Sequence, residues 1–470
     1  MRKLFILLFL LGGCCHRPCP CEMEIDIPNQ WESPLTCNME PSVLEDFVWW
    51  DALEDPILNS LIEKASIKNL DLNSAALRIL QARLERNGMS GASLPHIDAS
   101  VSVGELGFNR KILKEALGSC VGSRTANVGF FEAGFDADWE IDFFGVNKHK
   151  IGALEARIHA SEENYFNLWC TLTAEIARNY IELRGQQKQL QIIQNLIAAN
   201  QDNVVLTEEL VRIGIKNTAD RKISEEQFNR MNARKPQVEL AIQKSIHRLS
   251  ILTGLYPSQL VCELTPLAPL PKLPCVLPVG IPTELLRNRP DIRKAEQDLA
   301  AAMELEESAI ASLYPRFSIK GFIGDISTKC GSSGVYFITP QLLFPLFNSR
   351  MLEKDVEMSK TETQIALLEY HKVILNAFEE VENALAALKS SQERKSYLQK
   401  ALESDEEALY SISDLYNQGF NSYFEVLTIQ QALYSSEEEL LQINIELLLE
   451  YVSLYKSLGG SKWMLLDNCL

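Results

Sequence analysis

No stretch of this 470-residue chain approaches the ~18 consecutive apolar residues of a membrane-spanning helix, so any route into a bilayer is a lipid or a β-barrel. Histidines number only six and are scattered. With neither paired Cys-x-x-Cys sets nor His at helical i, i+4 spacing, the chain offers no zinc site, and no metal ligand set is expected. Gly459-Gly460-Ser461-Lys462 lacks the spacing of a nucleotide loop, and no Gly-x-Ser-x-Gly elbow or His-Glu-x-x-His helix is present, which argues against catalysis. Positive charge is also scarce. Lys and Arg total 45 against 63 Asp and Glu, a net charge of −18, which excludes wrapping of nucleic acid. A 46% hydrophobic, 23% charged chain with 19 prolines is neither disordered nor a polytopic helical membrane protein.

The N-terminus carries an address. Arg2-Lys3, the apolar run Leu4 to Leu11 and Gly12-Gly13 give the basic, apolar and small-residue order of an export signal. Cys14 follows at once, with Cys15 a less well-placed competitor, and a plain signal peptide beside a coincidental cysteine is the plainer alternative. Eleven cysteines suit an oxidising compartment; Cys15, Cys19, Cys21 and Cys37 crowd the N-terminus, and Cys262 and Cys275 flank a proline-rich stretch.

Glycine and proline are missing where it matters most. Ser349 to Gln418 contains neither, and at 1.5 Å rise that is about 100 Å of helix. Its apolar seam runs Ile374, Phe378, Val381, Leu385 and Leu388, then Leu398, Leu402, Asp405, Leu409, Ile412 and Tyr416, with only Asp405 out of character. Gly419 turns the chain into a second breaker-free run, Asn421 to Leu458. The first half repeats the plan: Val146 to Ile213, a turn at Gly214, and a returning helix from about Thr218 to Thr253 in which Pro236 is expected to make a kink.

Gly214 aligns on Gly419 at an offset of 205, whereas Leu94-Pro95-His96-Ile97 matches Tyr314-Pro315-Arg316-Phe317 at 220. The difference of 15 belongs most simply to a longer hairpin loop in the first half. An internal duplication of helix, two strands and helical hairpin follows. The expected organisation is a signal peptide (1–13), a lipidated N-terminal segment (14–50), a first repeat (51–255), a proline-rich linker (256–280), a second repeat (281–458) and a C-terminal segment (459–470).

The strands show period-2 alternation. Ile97, Ala99, Val101 and Val103 oppose Asp98, Ser100 and Ser102, and Phe317, Ile319, Gly321 and Ile323 oppose Ser318 and Lys320. Phe131, Ala133, Phe135, Ala137, Trp139, Ile141 and Phe143 alternate with Glu132, Gly134, Asp136, Asp138, Glu140 and Asp142. In a soluble sandwich the acidic face meets water; in a transmembrane barrel it lines a wet lumen while the aromatic face meets lipid. Two strands per half make four, too few to close a pore, so several copies must contribute to one barrel.

The stretch from Gly280 through Arg289-Pro290-Asp291 to Glu296 resembles the inter-repeat signature of TolC-family outer-membrane efflux proteins, lipoprotein (OprM/NodT-like) branch. Trp139-Glu140-Ile141-Asp142-Phe143-Phe144-Gly145 and Pro345-Leu346-Phe347-Asn348 resemble its strand-to-helix junctions, and Leu11-Gly12-Gly13-Cys14 resembles a bacterial lipobox. The likeness runs from about Trp49 to Trp463. It implies a mainly α protein with β: a homotrimer with a 12-stranded outer-membrane β-barrel, four strands per chain, continuous with a long periplasmic α-helical barrel girdled midway. It further implies diacylglycerol and an N-acyl chain on Cys14, anchorage in outer-membrane lipid, and no other cofactor. The partners implied are a periplasmic adaptor and an inner-membrane transporter of the RND type, for which the trimer is the exit duct. A lipid-anchored envelope tether or coiled-coil scaffold is the alternative, but it leaves the strands and the duplication unexplained.

Candidate site residues follow. Glu132, Asp136 and Asp138 would line the barrel lumen and favour cations. Cys120 and Cys330 fall in the strand-to-strand loops expected at Gly104 to Ala126 and Ile326 to Gly334, where they either pair or stay as exposed thiols. At the periplasmic tips Arg212, Lys216, Arg221 and Lys222 face Asp414 and Glu425, so charge pairing between hairpins, with packing by Leu210, Leu415 and Tyr416, could hold a gate shut. By resemblance Glu425, six residues after the tip glycine, is a constriction acid, although Thr428 stands where a second acid is common and Asn421 where a basic residue is. Ser422 to Glu425 is equally a capping-box pattern, approximated by Asn217 to Asp220.

Overall fold

The computed structural model describes residues 28, 30–32, 39–41, 48–108, 126–274, 276–328, 331–347 and 349–460. Cys14, Cys120 and Cys330 lie outside the described residues, and with them the lipidation and disulfide expectations. In chain order the elements are β1 (Met39–Pro41), α1 (Pro56–Lys68), α2 (Leu70–Ala92), β2 (His96–Phe108), β3 (Ala126–Ile141), α3 (Val146–Arg212), α4 (Thr218–Leu252) and α5 (Val261–Leu264). There follow β4 (Leu277–Val279), α6 (Pro282–Asn288), α7 (Pro290–Ala311), β5 (Arg316–Thr328), β6 (Gly331–Leu343), α8 (Ser349–Asn417) and α9 (Tyr423–Ser457).

The four expected runs become the four long helices, with C-terminal ends one residue inside the expected ones and the start of α9 two; α3 has 67 residues, α8 has 69, and α4 and α9 have 35 each. α4 runs through Pro236 as one element. Gly214 and Gly419 take φ of 75° and 80°, so the left-handed turn that ends each long helix falls to the residue type that adopts it without strain. On α8 the seam packs as its spacing predicts: Ile374, Val381, Leu385 and Leu388 are buried, and Leu398, Leu402, Leu409 and Ile412 are half-buried. Asp405, the one polar member, accepts a hydrogen bond from Ser436 Oγ on α9 at 2.5 Å, which satisfies it without breaking the seam.

Strand pairing makes the duplication quantitative. β2 and β5 have 13 residues each and start at His96 and Arg316, 220 apart. Within the hairpins His96 pairs with Asp138 and Arg316 with Leu343, so β3 maps on β6 at 205, the offset that also relates α4 to α9. The paired ends Phe108↔Ala126 and Thr328↔Gly331 enclose residues 109–125 and 329–330, 17 against 2, and the whole difference of 15 sits there. The loops are shorter than expected. Gly104 belongs to β2 rather than to a turn, because a Cβ there would collide with the Phe130 ring at 2.6 Å; the glycine makes room for a neighbour across the sheet.

The four strands form one antiparallel sheet in the order β2-β3-β5-β6, leaving β2 and β6 as edges. Midway along the helices the chain gathers into an aromatic core. Trp49, Trp169, Tyr180, Tyr451 and Tyr455 are buried, Tyr451 donates to the Trp49 carbonyl at 2.8 Å, and Tyr455 to that of Pro278 at 3.0 Å. Parallel pairing of β1 with β4 adds to this belt, as does Trp31 Nε1, which donates to the Gly280 carbonyl at 2.7 Å. The proline-rich linker is held by the fully buried Arg184, which donates to the Pro266 carbonyl at 2.9 Å and lies over the Tyr180 ring at 4.9 Å.

A duplicated clasp fastens the belt to each returning helix. Asn69, between α1 and α2, caps α2 and donates through Nδ2 to the Leu252 carbonyl at 2.8 Å. At the offset of 220 stands Arg289, between α6 and α7, whose Nη1 donates to the Ser457 carbonyl at 2.8 Å. Beside each clasp is a left-handed glycine, Gly254 (φ 71°) or Gly459 (φ 100°), pressed against the carbonyl of Lys68 or Asn288. Arg289 needs more than Asn69 does: it is buried, and Asp291 at 2.7 Å and Glu380 at 2.8 Å neutralise it. The Arg-Pro-Asp signature is thus a helix entry carrying its own charged clasp.

Candidate functional site

Directly paired residues of an antiparallel sheet share a face, so the register assigns every strand side chain. One face carries Ile97, Val101 and Val103 from β2, Phe131, Phe135 and Trp139 from β3, Ile319 and Ile323 from β5, and Tyr336, Ile338 and Leu342 from β6. Most of these are exposed in the single chain, among them Val103 at 80% and Ile338 at 77%. At the base of the sheet an aromatic collar gathers: Trp139 Nε1 donates to the Ser93 carbonyl at 3.2 Å, Phe144 stacks on Tyr314 at 4.9 Å, and Phe347 is 98% exposed. An apolar band with aromatics at its edge is what a lipid-facing wall requires. Among the described residues no helix is long and apolar enough to cross a membrane.

The opposite face gathers Glu132, Asp136 and Asp138, the three acids expected to share it, and adds Asp98 beside Asp136. The neighbouring strand tempers them. Lys320 stands opposite Asp138, and Phe322 opposite Asp136, so the face is an acidic stripe from the first repeat beside a largely neutral one from the second. Phe322 is buried although it lies on the polar side, stacked on Phe337 at 5.9 Å. A Cβ on Gly134 or Gly324 would meet its ring at 2.7 Å; these two glycines make the hollow it fills.

At the periplasmic tips the structure redistributes the expected charges. Arg212 pairs with Glu209 at 2.7 Å, and Arg221 and Lys222 both reach Glu225, at 3.4 and 2.5 Å, within their own helices. The Lys222 hydrogen bond pulls the Glu225 carboxyl below its ordinary value. Burial pushes the Lys216 ammonium down, opposed by the nearby Asp220. Asp414 accepts from Gln418 Nε2 at 2.7 Å, and Tyr416 is half-buried.

The two capping patterns exchange roles. Asn217 and Asp220, the approximate match, form a complete box: Asn217 Oδ1 accepts from Asp220 N at 2.9 Å, and Asp220 Oδ2 from Asn217 N at 3.3 Å. Ser422, the better match, makes no side-chain cap, because the Glu425 amide already donates to the Ser422 carbonyl at 3.1 Å. Glu425 is therefore an exposed carboxylate released from capping. Among the described residues no group of three His, Cys, Asp or Glu side chains converges to hold a metal ion.

A sheet with one apolar face, followed in each repeat within a few residues by a helix of 67 or 69 residues, suits a channel wall. Residues 61–255 and 281–460 match the outer membrane efflux protein family, and the chain belongs to it. It is 28% identical over 431 residues to nodulation protein T of Rhizobium leguminosarum bv. trifolii, covering 90% of this chain and 89% of the relative. The cation efflux system protein CusC of Escherichia coli K12 is 26% identical over 466 residues, 97% of this chain and 98% of the relative. Among solved structures the outer-membrane channel OprN superposes with a TM-score of 0.85 at 26% identity, covering 94% of this chain and 98% of that one. The open state of the Neisseria gonorrhoeae channel MtrE gives 0.79 over 93% and 96%, at 23% identity, a likeness of fold. The resemblance read from residues 280–296 and from the junctions thus names the right family, and with it efflux across the outer membrane.

Proposed function

We propose that three copies of this chain close into a 12-stranded barrel continuous with a helical tunnel, the outer-membrane exit duct of a tripartite pump that passes small molecules from the periplasm to the exterior. The observation that carries the reading is the four-stranded sheet with two open edges and one apolar face: hydrocarbon tolerates no open edge, so β2 and β6 must meet other copies. α3 and α8, about 100 Å long at 1.5 Å per residue, carry the conduit across the periplasm. An N-terminal lipid on Cys14 adds a second hold on outer-membrane lipid, and a periplasmic adaptor and an inner-membrane transporter of the RND type complete the pump.

The relatives bear names as different as cation efflux, pyoverdine export and toluene efflux, which suits a duct whose cargo is chosen by the transporter. The gate lies at the two hairpin tips, Lys216 and Asp220 on one and Asp414, Tyr416 and Glu425 on the other, with Glu425 as the constriction acid because no cap uses its carboxylate. Single-channel recording of reconstituted protein tests the reading. A duct gives discrete openings, and Glu425→Gln alters conductance and weakens divalent-cation block with little change in melting temperature. A bilayer that stays silent through gate variants, with monomeric protein in detergent, leaves the tether.

A further inference from the structure

Partway along α3 a recess opens between it and α9. Gly185 has no side chain to hold α9 away, and a Cβ there would strike Ile445, so the two helices close in at that level. Beside the crossing lies a cavity of about 280 Å³, at the small end of the range for ligand pockets. Leu441, Ile445 and Leu449 of α9 make one side apolar. Glu182, Gln186 and Gln189 of α3 and Glu438 and Gln442 of α9 supply the polar groups, so the lining has two carboxylates and no base.

The recess is on the far side of α3 from the belt. Tyr180, Arg184 and Gln187 hold the belt and linker through Asp55, Pro266 and Leu264. At about 100° per residue, Glu182, Gln186 and Gln189 project roughly the opposite way. On α9, Tyr451 and Tyr455 meet the belt, and Glu438, Gln442 and Leu449 point away from it. A belt inside a tube of helices would plug it; with the belt outside, the recess opens on the conduit.

Acceptors are left over in the lining. Gln189 has no hydrogen-bond partner among the described residues. Gln442 donates Nε2 to Glu446 at 3.4 Å, which leaves its Oε1. Arg178 and Arg234 reach Glu182 and Glu438 at 3.2 and 2.6 Å, each through Oε1, and neither arginine lines the cavity. The fold itself does not demand acids here. At the repeat offset of 205, Glu182 and Glu438 become Ala387 and Ala233, while Gln189 and Leu449 become Arg394 and Lys244.

We propose that this recess is a resting site on the duct wall for small organic cations that carry a primary or secondary ammonium on an apolar body. The inference rests on the duct proposed above and adds a stop within it. Glu182 and Glu438 accept from the ammonium in charge-assisted hydrogen bonds, helped by the amide oxygens of Gln189 and Gln442. The apolar body covers Leu441, Ile445 and Leu449.

Photolabelling tests it, with para-azidobenzylamine, a cation at neutral pH, applied to full-length protein in liposomes. Adducts should map to residues 182–189 and 438–449; excess benzylamine should suppress them, and benzyl alcohol, its neutral counterpart, should not. Glu182→Gln should cut labelling about tenfold, the loss expected for one charge-assisted hydrogen bond. Gln189→Trp, which fills the recess without removing a bond, should do the same at an unchanged melting temperature. Adducts spread along the helices, or adducts in the recess that ignore benzylamine and both variants, overturn the site. Single-channel recording of the same preparation separates the two readings. Openings without adducts in the recess remove the site and leave the duct, whereas adducts in protein that never conducts remove the duct and the resting-site role with it.

Discussion

Gly214 and Gly254 have nearly the same backbone, φ 75° and 71°, and very different neighbours. Around Gly214 at the periplasmic tip a Cβ would meet nothing within 4 Å, so Gly214→Ala carries only the conformational penalty of a left-handed non-glycine residue, on the order of 1 kcal/mol. At Gly254 the new methyl would also strike the Lys68 carbonyl, and the clasp through Asn69 would have to open. Gly254→Ala should therefore lower the melting temperature well beyond Gly214→Ala; equal shifts would mean that the clasp yields without loss. Caps supply the second contrast. Asn217→Ala removes a working cap, worth about 1 kcal/mol, and should speed amide exchange in the first turn of α4, whereas Ser422→Ala should leave the first turn of α9 unchanged. Residue patterns ranked the two boxes in the wrong order. Whether a serine hydroxyl or its own carbonyl takes the third amide depends on backbone angles that a four-residue motif does not set.

Elements were far more legible than contacts. Absence of glycine and proline delimited α8 and α9 to within two residues, since seventy residues without a breaker leave little choice, whereas α3 and α4 were bounded by their turn at Gly214 and run through Gly152, Gly185 and Pro236. Alternation assigned the strand faces, and the two offsets placed the extra 15 residues in one hairpin. Gly104 was misread as the start of a loop, because glycine marks both turns and places where a neighbouring ring needs room. Nor could sequence show the burial of Glu450, where α8 and α9 meet. One of its oxygens accepts from Ser391 Oγ at 2.7 Å and the other is buried without a hydrogen-bond partner. Burial raises its carboxyl above the ordinary value, with the Ser391 bond opposing and Glu446 adding to the rise. The folded chain thus holds this proton more tightly than the unfolded chain. Its contribution to stability is full below the unfolded pKa and is lost as pH rises through the raised one. Glu450→Gln should remove that loss: the denaturation midpoint of the variant should fall less steeply than that of the parent chain between mildly acidic and neutral pH, and parallel profiles would contradict the assignment.

At the scale of the whole molecule, the proposed lumen is uneven. β3 alone carries five alternating carboxylates, but in the closed trimer proposed above the repeats would alternate, so acidic stripes from β2 and β3 would be separated by stripes from β5 and β6 that carry Lys320, Phe322 and Phe337. The carboxylates should then count unequally. Asp138 faces Lys320 across the strand pair, which offsets its charge within one Debye length, about 10 Å at 0.1 M salt. Asp136 faces Phe322 instead and has Asp98 on its other side, so its field is reinforced. Three-fold repetition multiplies each difference by the same factor and leaves the ranking intact. Reversal potentials across a reconstituted trimer in a dilute salt gradient should show cation preference. Asp136→Asn should reduce it more than Asp138→Asn, and Lys320→Gln should increase it. Anion preference in the parent channel would reverse the assignment of lumen and lipid faces. Equal effects of the two aspartates would show instead that Lys320 turns away from Asp138 once the barrel closes, leaving the wall as evenly acidic as β3 alone suggests.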